Sequence, residues 1–305
     1  MTAVDSSHLP ALFQVADASS TRSQAIYMRL VNCDLALIVS GSMITSWAVS
    51  SESLRAVFAI AGGVMLLASL MLTMFILQSR PDKSWFGTRA IAESVKKLAW
   101  SYMTGAKDFP MSLSDADADK YFCSAMDSVL QQWQSLGGDL GGTQSCLDQI
   151  TQQMRDVRAT NLEERKTTYL SSRIQDQRKW YAQKAESNSA SANWWIAAIG
   201  IAQLAGAAAA IALVRWPNLT FNFASVFASL AAAFMAWLQV KQHQEQAQSY
   251  GIAASELGLE EAQLRHVSTE NQFGEFVENA EKAISREHTM WVSRRDLRIK
   301  QPDQT

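Results

Sequence analysis

The chain alternates between stretches that suit water and stretches that do not. Four segments, residues 35–51, 56–79, 187–214 and 216–240, contain no Asp, Glu, Lys or Arg. Ala56 to Leu77 reads AVFAIAGGVMLLASLMLTMFIL. As a helix rising about 1.5 Å per residue it reaches about 33 Å, enough to cross a hydrocarbon core. Trp194–Val214 is equally apolar, and Phe223–Val240 follows it closely. Leu35–Ser51 is shorter and carries Ser40, Ser42, Thr45 and Ser46, so a buried soluble helix is its alternative. A lone odd span would put the two ends of the chain on opposite sides, which the flanking charges do not support. The pattern predicts four transmembrane helices.

Only Glu52 to Arg55 separate the first two spans, and only Arg215 to Asn222 the last two. Each pair must be an antiparallel hairpin. Basic residues set the orientation. Arg22 and Arg29 precede the first span; Arg80, Lys83, Arg89, Lys96 and Lys97 follow the second. Arg173, Arg178, Lys179 and Lys184 precede the third, and Lys241 follows the fourth, leaving only Arg55 and Arg215 opposite. Both termini and the central region are expected in the cytoplasm. Trp47 and Trp216 fall at the far interface and Trp194, Trp195 and Trp237 at the near one, as aromatic belts do.

The rest of the chain reads as water-grade helix. Leu147, Ile150, Met154 and Val157 form a heptad-like seam in a Gly- and Pro-free run from Thr143 to Ile199, which predicts a helical stalk entering the third span. The fourth span is expected to continue as helix, with Gly251 and Gly258 as weak points. A last helix opens at Thr269 and Gln272, which have capping-box spacing, and shows Phe273, Phe276, Val277, Ala280, Ile284 and Trp291 on one face. Two amphipathic helices follow the first hairpin, around Ile91–Tyr102 and Phe122–Trp133. SLGGDLGGTQS, with no strand before it and no GK[ST] after it, reads as a linker rather than a phosphate loop. The boundaries expected are a polar N-terminal arm at 1–23, a first two-span unit at 24–134, a Gly-rich linker at 135–145 and a second unit at 146–300. The fold class is an all-α membrane protein with long cytoplasmic helical extensions.

Composition changes this picture little. The 305 residues are 18% charged with net charge −2, which gives no electrostatic footprint for nucleic acid. Cys33, Cys123 and Cys146 lack CxxC spacing and an even count, so neither a disulfide framework nor a zinc knuckle is expected. Met1 to Ser23 has no basic region leading into an apolar core and does not read as a signal peptide. His8, His243, His266 and His288 have no ligand spacing, and HExxH, GxSxG and a P-loop are absent. Neither an enzyme nor a cofactor is expected.

The candidate functional residues are polar groups inside spans. Gln203 lies beside Ala202, Gly206 and Ala210, a small-residue face that allows close helix approach. It either bonds another helix or lines a polar cavity. Ser42, Thr45 and Ser46 allow the same two readings, or bonding to their own i−4 carbonyls. The four charge-free spans leave no intramembrane Asp, Glu, Lys or Arg.

Trp85–Phe109, WFGTRAIAESVKKLAWSYMTGAKDF, follows a two-span hairpin and resembles one subtype of the SLATT family, the SMODS- and SLOG-associating two-transmembrane effector domains. Tyr169–Arg173, RKWYAQKAESNSASANWW (Arg178–Trp195), and SREHTMWVSRR (Ser285–Arg295) resemble a second subtype. The motif positions carried over are Arg89, Glu93, Lys96, Trp100, Arg178, Trp180 and Tyr181. From the residues alone, Arg89, Glu93 and Lys97 make a charge ladder on one helix face, and Lys96 with Trp100 has cation–π spacing. The resemblance implies a bacterial inner-membrane effector, pore-forming or membrane-perturbing, in a nucleotide-linked anti-phage system. Its expected partners are the lipid bilayer, further copies of itself, and a nucleotide second messenger or sensor protein. A non-conducting scaffold that recruits proteins is the alternative.

Overall fold

A computed structural model describes residues 4–48, 54–106, 108–135, 148–216 and 221–296. Residues 136–145 of the expected linker and Cys146 lie outside them, and the side chains of Trp133 and Trp291 are likewise outside the description. The described residues are 89% helical, with no strand among them. Ten α-helices follow in order: α1 (Ala11–Ala48), α2 (Arg55–Ser79), α3 (Pro81–Thr104), α4 (Asp115–Ser135), α5 (Gln152–Arg158), α6 (Leu162–Tyr169), α7 (Asp176–Arg215), α8 (Phe223–Lys241), α9 (His243–Gln263) and α10 (Glu270–Asp296). Among the described residues, four helical stretches are long and apolar enough to cross a membrane.

Local chemistry sets the ends. Thr151, Asn161 and Asn222 accept backbone N–H groups at the starts of α5, α6 and α8. The break after α8 falls at Gln242, with φ +51°, and not at Gly251 or Gly258, which are both helical. At the start of α10 the capping box is offset. Gln272 donates its N–H to Thr269 Oγ1, but its side-chain oxygen accepts from the N–H of Ser268, one residue earlier than expected.

The chain divides into two compact units. The polar unit draws on Met1–Ser23, Asp82–Ala185 and Gln248–Thr305; the membrane unit draws on Gln24–Pro81 and Glu186–Ala247. Both units are discontinuous in sequence and take residues from both halves of the chain. The polar unit has a hydrophobic core in which Ile91, Val95, Trp100 and Phe122 from the first half meet Met154, Tyr169, Ile174, Phe273 and Val277 from the second. Residues 4–16 belong to that core, which corrects the expected polar arm: Val4, Leu9, Leu12, Phe13 and Ala16 are buried. Leu9, Leu12, Phe13 and Ala16 already had helical spacing. Gln149 and Asp148 accept the first N–H groups of α1.

Candidate functional site

In the membrane unit, small residues and hydroxyls decide which helix faces meet. Thr45 donates to the carbonyl of Gly41 at 3.0 Å, an i−4 bond on its own helix. Its methyl then faces Gly62 of α2, where an added Cβ would lie 2.4 Å from Thr45 Cγ2. Ser42 turns to α8, and Ser46 reaches α8 as well as its own i−4 carbonyl at Ser42. Ser229 bonds Ser42 at 2.8 Å, and Ser46 and Ser225 lie 2.8 Å apart. This hydroxyl ladder joins a helix of the first hairpin to a helix of the second.

The second hairpin packs through its own small residues. Ala202 is buried, and a Cβ at Gly206 would stand 3.4 Å from Cβ of Phe227 on α8. Ala210 is exposed. Gln203, expected to bond another helix or line a cavity, is exposed on the outside of the unit, between Ile201 at 69% and Leu204 at 73% exposure. At about 100° per residue, one step from Ala202 carries the amide off the face that meets α8.

Aromatic groups gather at both ends of this unit. Trp47 packs near Phe58 and edge-on to Phe221, and the Arg215 guanidinium lies over Trp216. At the other end Trp195 contacts Phe234 and Trp237, with Lys241 over the Trp237 ring. Between them Val57, Ile60, Val64, Leu67, Met71 and Leu77 are exposed, as lipid-facing residues are.

One carboxylate breaks the expectation of an uncharged interior. Asp34 accepts hydrogen bonds from Ser69 at 2.6 Å and Thr73 at 3.1 Å, both on α2. The charge-free stretch begins at Leu35, but α1 runs on unbroken beside α2. Asp34 therefore pairs with residues inside the second span, Ser69 near its middle and Thr73 one turn from its end.

The polar unit holds the family-motif positions in two separate sets of contacts. Arg89 bridges Asp17 at 2.8 Å and Glu93 at 2.7 Å. Lys96 lies over the ring of Phe13 and not over Trp100, because Trp100 is turned edge-on to Tyr169 in the core. Burial, followed by the Arg173 charge, holds the Lys96 ammonium below its ordinary pKa. Arg178 pairs with Glu261 at 2.6 Å. Trp180 and Tyr181 both pack on Tyr250.

Four further charged residues, Arg158, Arg165, Arg173 and Glu281, are buried here. Arg173 and Glu281 form a two-point ion pair, joined by the hydroxyl of Tyr169. Arg158 donates to the carbonyls of Tyr102, Phe109 and Pro110 and lies over the Tyr102 ring. Arg165 bonds the carbonyl of Thr160 and the carboxylate of Glu270. Glu281 was legible in principle, since it stands on the stripe made by Val277, Ala280 and Ile284. No sequence signal marks Arg158 or Arg165, because the acceptors of Arg158 and the carboxylate partner of Arg165, Glu270, lie far along the chain.

Among the described residues no group of three His, Cys, Asp or Glu side chains could hold a metal. A pocket between α9 and α10 is lined by Glu260, Gln263, His266, Gln272, Glu275 and Asn279, among others. Its two carboxylates disfavour a phosphate.

These features define an all-helical, multi-pass membrane protein with a separate polar helical unit. Residues 10–166 match SMODS and SLOG-associating 2TM effector domain 3, and residues 169–291 match SMODS and SLOG-associating 2TM effector domain 1. The chain belongs to the SLATT family, as two tandem domains of different subtype. SLATT domains are two-transmembrane effector domains associated with SMODS and SLOG conflict systems. No curated protein and no solved structure matches the chain.

Proposed function

We propose that the chain is an oligomeric, non-enzymatic effector of the bacterial inner membrane that opens a conduit or otherwise breaches the bilayer during a conflict response. Both termini and the polar unit lie in the cytoplasm in this reading, as the basic residues flanking the spans imply. The observation that carries it is Gln203, an amide exposed on an otherwise apolar helix face. A second copy can satisfy that amide in lipid, where interhelical side-chain bonds contribute about 0.6–2 kcal/mol each. Four helices packed on one another cannot line an aqueous pore alone, so a conduit needs several copies.

α1 and α7 each supply residues to both units, which gives the polar unit a covalent route to the membrane helices. The test is ion flux through vesicles holding the purified protein, with oligomeric state measured in the same detergent. Flux from an oligomer, reduced by Gln203→Leu, is expected. A monomer that passes no current with or without cyclic nucleotides would overturn the reading. Unchanged toxicity of Gln203→Leu in cells, with partner proteins still recovered, would favour a scaffold.

A further inference from the structure

We infer that Asp34, Ser69 and Thr73 form a binding site for an alkali-metal cation within the membrane unit. The inference rests on the hairpin crossing the membrane and does not require the conduit. Asp34 and Ser69 each stand about 21 Å from the hairpin turn, on a helix α2 about 37 Å long at about 1.5 Å per residue. Leu70, Met71, Met74, Phe75 and Leu77 are exposed on α2 at that depth and beyond it toward Arg80. The carboxylate therefore lies within the apolar length of α2, about 7.5 Å along α1 from Arg29 at about 1.5 Å per residue.

Its environment is polar but does not neutralise it. Among the described residues, Asp34 has only the two hydroxyls as partners, and neither carries charge. A carboxylate inside the hydrocarbon is costly, so such groups are paired or lie on ion pathways. The groups that converge here are all oxygens: two from the carboxylate and one from each hydroxyl, whose lone pairs remain free when the protons point at Asp34. Oxygen-only donor sets suit hard cations. One carboxylate is too little for calcium, which takes six to eight oxygens with several carboxylates among them. A monovalent cation, completed by water or backbone carbonyls, balances the single charge. An anion is repelled.

The test uses the full chain in detergent, with thermal stability measured in sodium, potassium or N-methylglucamine chloride at equal concentration. A binding site raises Tm in sodium or potassium over N-methylglucamine. Asp34→Asn should abolish that difference, and Ser69→Ala with Thr73→Val should shrink it, even where the variants change the basal Tm. A difference that persists in Asp34→Asn overturns the site. So does a wild-type Tm that responds to pH alone, which would make Asp34 a proton site. In vesicles that pass current, Asp34→Asn should shift the reversal potential away from cation preference. Vesicles that pass no current speak against the conduit and leave the cation-dependent Tm to decide this site.

Discussion

Arg173 and Glu281 meet with two parallel hydrogen bonds, Nε to Oε1 at 2.8 Å and Nη2 to Oε2 at 2.7 Å, and both side chains are excluded from solvent. Arg173 sits in a π-helical turn, Leu170–Gln175, between α6 and α7. Such turns reorient side chains within a helix and recur at functional sites. Trp100, from the other tandem domain, packs on Tyr169, which donates to the same Glu281. The pair is thus the point where the two family motifs share one core.

Breaking this pair leaves an uncompensated buried charge. Arg173→Met or Glu281→Leu alone should destabilise the protein by about 3–5 kcal/mol. The double variant should recover most of that loss, because a buried ion pair and an apolar replacement of similar volume are nearly equivalent. Thermal unfolding of the detergent-extracted protein reads all three. Equal losses in the single and double variants would mean that the pair is not what holds this core.

Arg158 acts as a cap assembled from distant sequence. Its guanidinium collects three carbonyls left by the end of α3 and the turn after it. Arg158→Lys keeps the charge but loses the fork that reaches all three. Hydrogen bonds to charged groups contribute about 1.5–3 kcal/mol each, so a drop of at least that size is expected in the same melt. Arg89→Lys, at a half-exposed pair, should change it far less.

The fold was readable where one physical rule acts alone. An apolar run long enough to cross the bilayer marks a span, and Ala56–Leu77 needed nothing more. The stripe from Phe273 to Ile284 was equally plain, since helical period alone decides it. The sites were harder, because each depends on a partner far along the chain. Ser42 and Thr45 differ by less than a turn, yet one bonds α8 and the other its own backbone. Asp34 falls one residue before the first charge-free stretch, and only its contacts show that Ser69 and Thr73, four residues apart on α2, offer it a polar face. Gln203 was placed inside by its small neighbours, and only the position of α8 shows which side of α7 is taken.

Helix approach in the first hairpin depends on the missing side chain at Gly62. A Cβ there meets the Thr45 methyl and the Gly41 carbonyl, whereas one at the adjacent Gly63 meets nothing within 4 Å. Gly62→Val should push α1 from α2 and destabilise the protein by about 1–3 kcal/mol, the usual range for overpacking. Gly63→Ala should be neutral or slightly stabilising, since alanine is the better helix former. A thermal melt in which the two variants lose equal stability would remove close packing as the reason.

Topology and depth can be read with two thiols. Cys123 and Cys33 are both free and exposed, but Cys33 adjoins Asp34 alongside the apolar length of α2. In a Cys146→Ser background, an impermeant maleimide outside intact cells should label neither. After permeabilisation it should label Cys123 and still spare Cys33, whose thiol faces hydrocarbon. Labelling of Cys123 from outside would reverse the orientation; rapid labelling of Cys33 would place Asp34 in water.

The junction after α8 should be sensitive to acid. His243 Nδ1 lies 2.7 Å from Asn188 Oδ1, and burial, with the Lys241 charge second, holds the imidazole below its ordinary pKa. Protonation keeps the bond to Asn188, because Nδ1 donates in both forms, so the penalty is desolvation and repulsion by Lys241. A pKa lowered by folding means that stability is complete above the unfolded value, about 6.5, and is lost as pH falls through the folded value. His243→Gln cannot titrate but can still donate to Asn188. The Tm advantage of wild type over His243→Gln should therefore be largest at pH 7.5 and decline below pH about 6. An advantage that stays constant across that interval would show that this histidine does not charge as the protein acidifies.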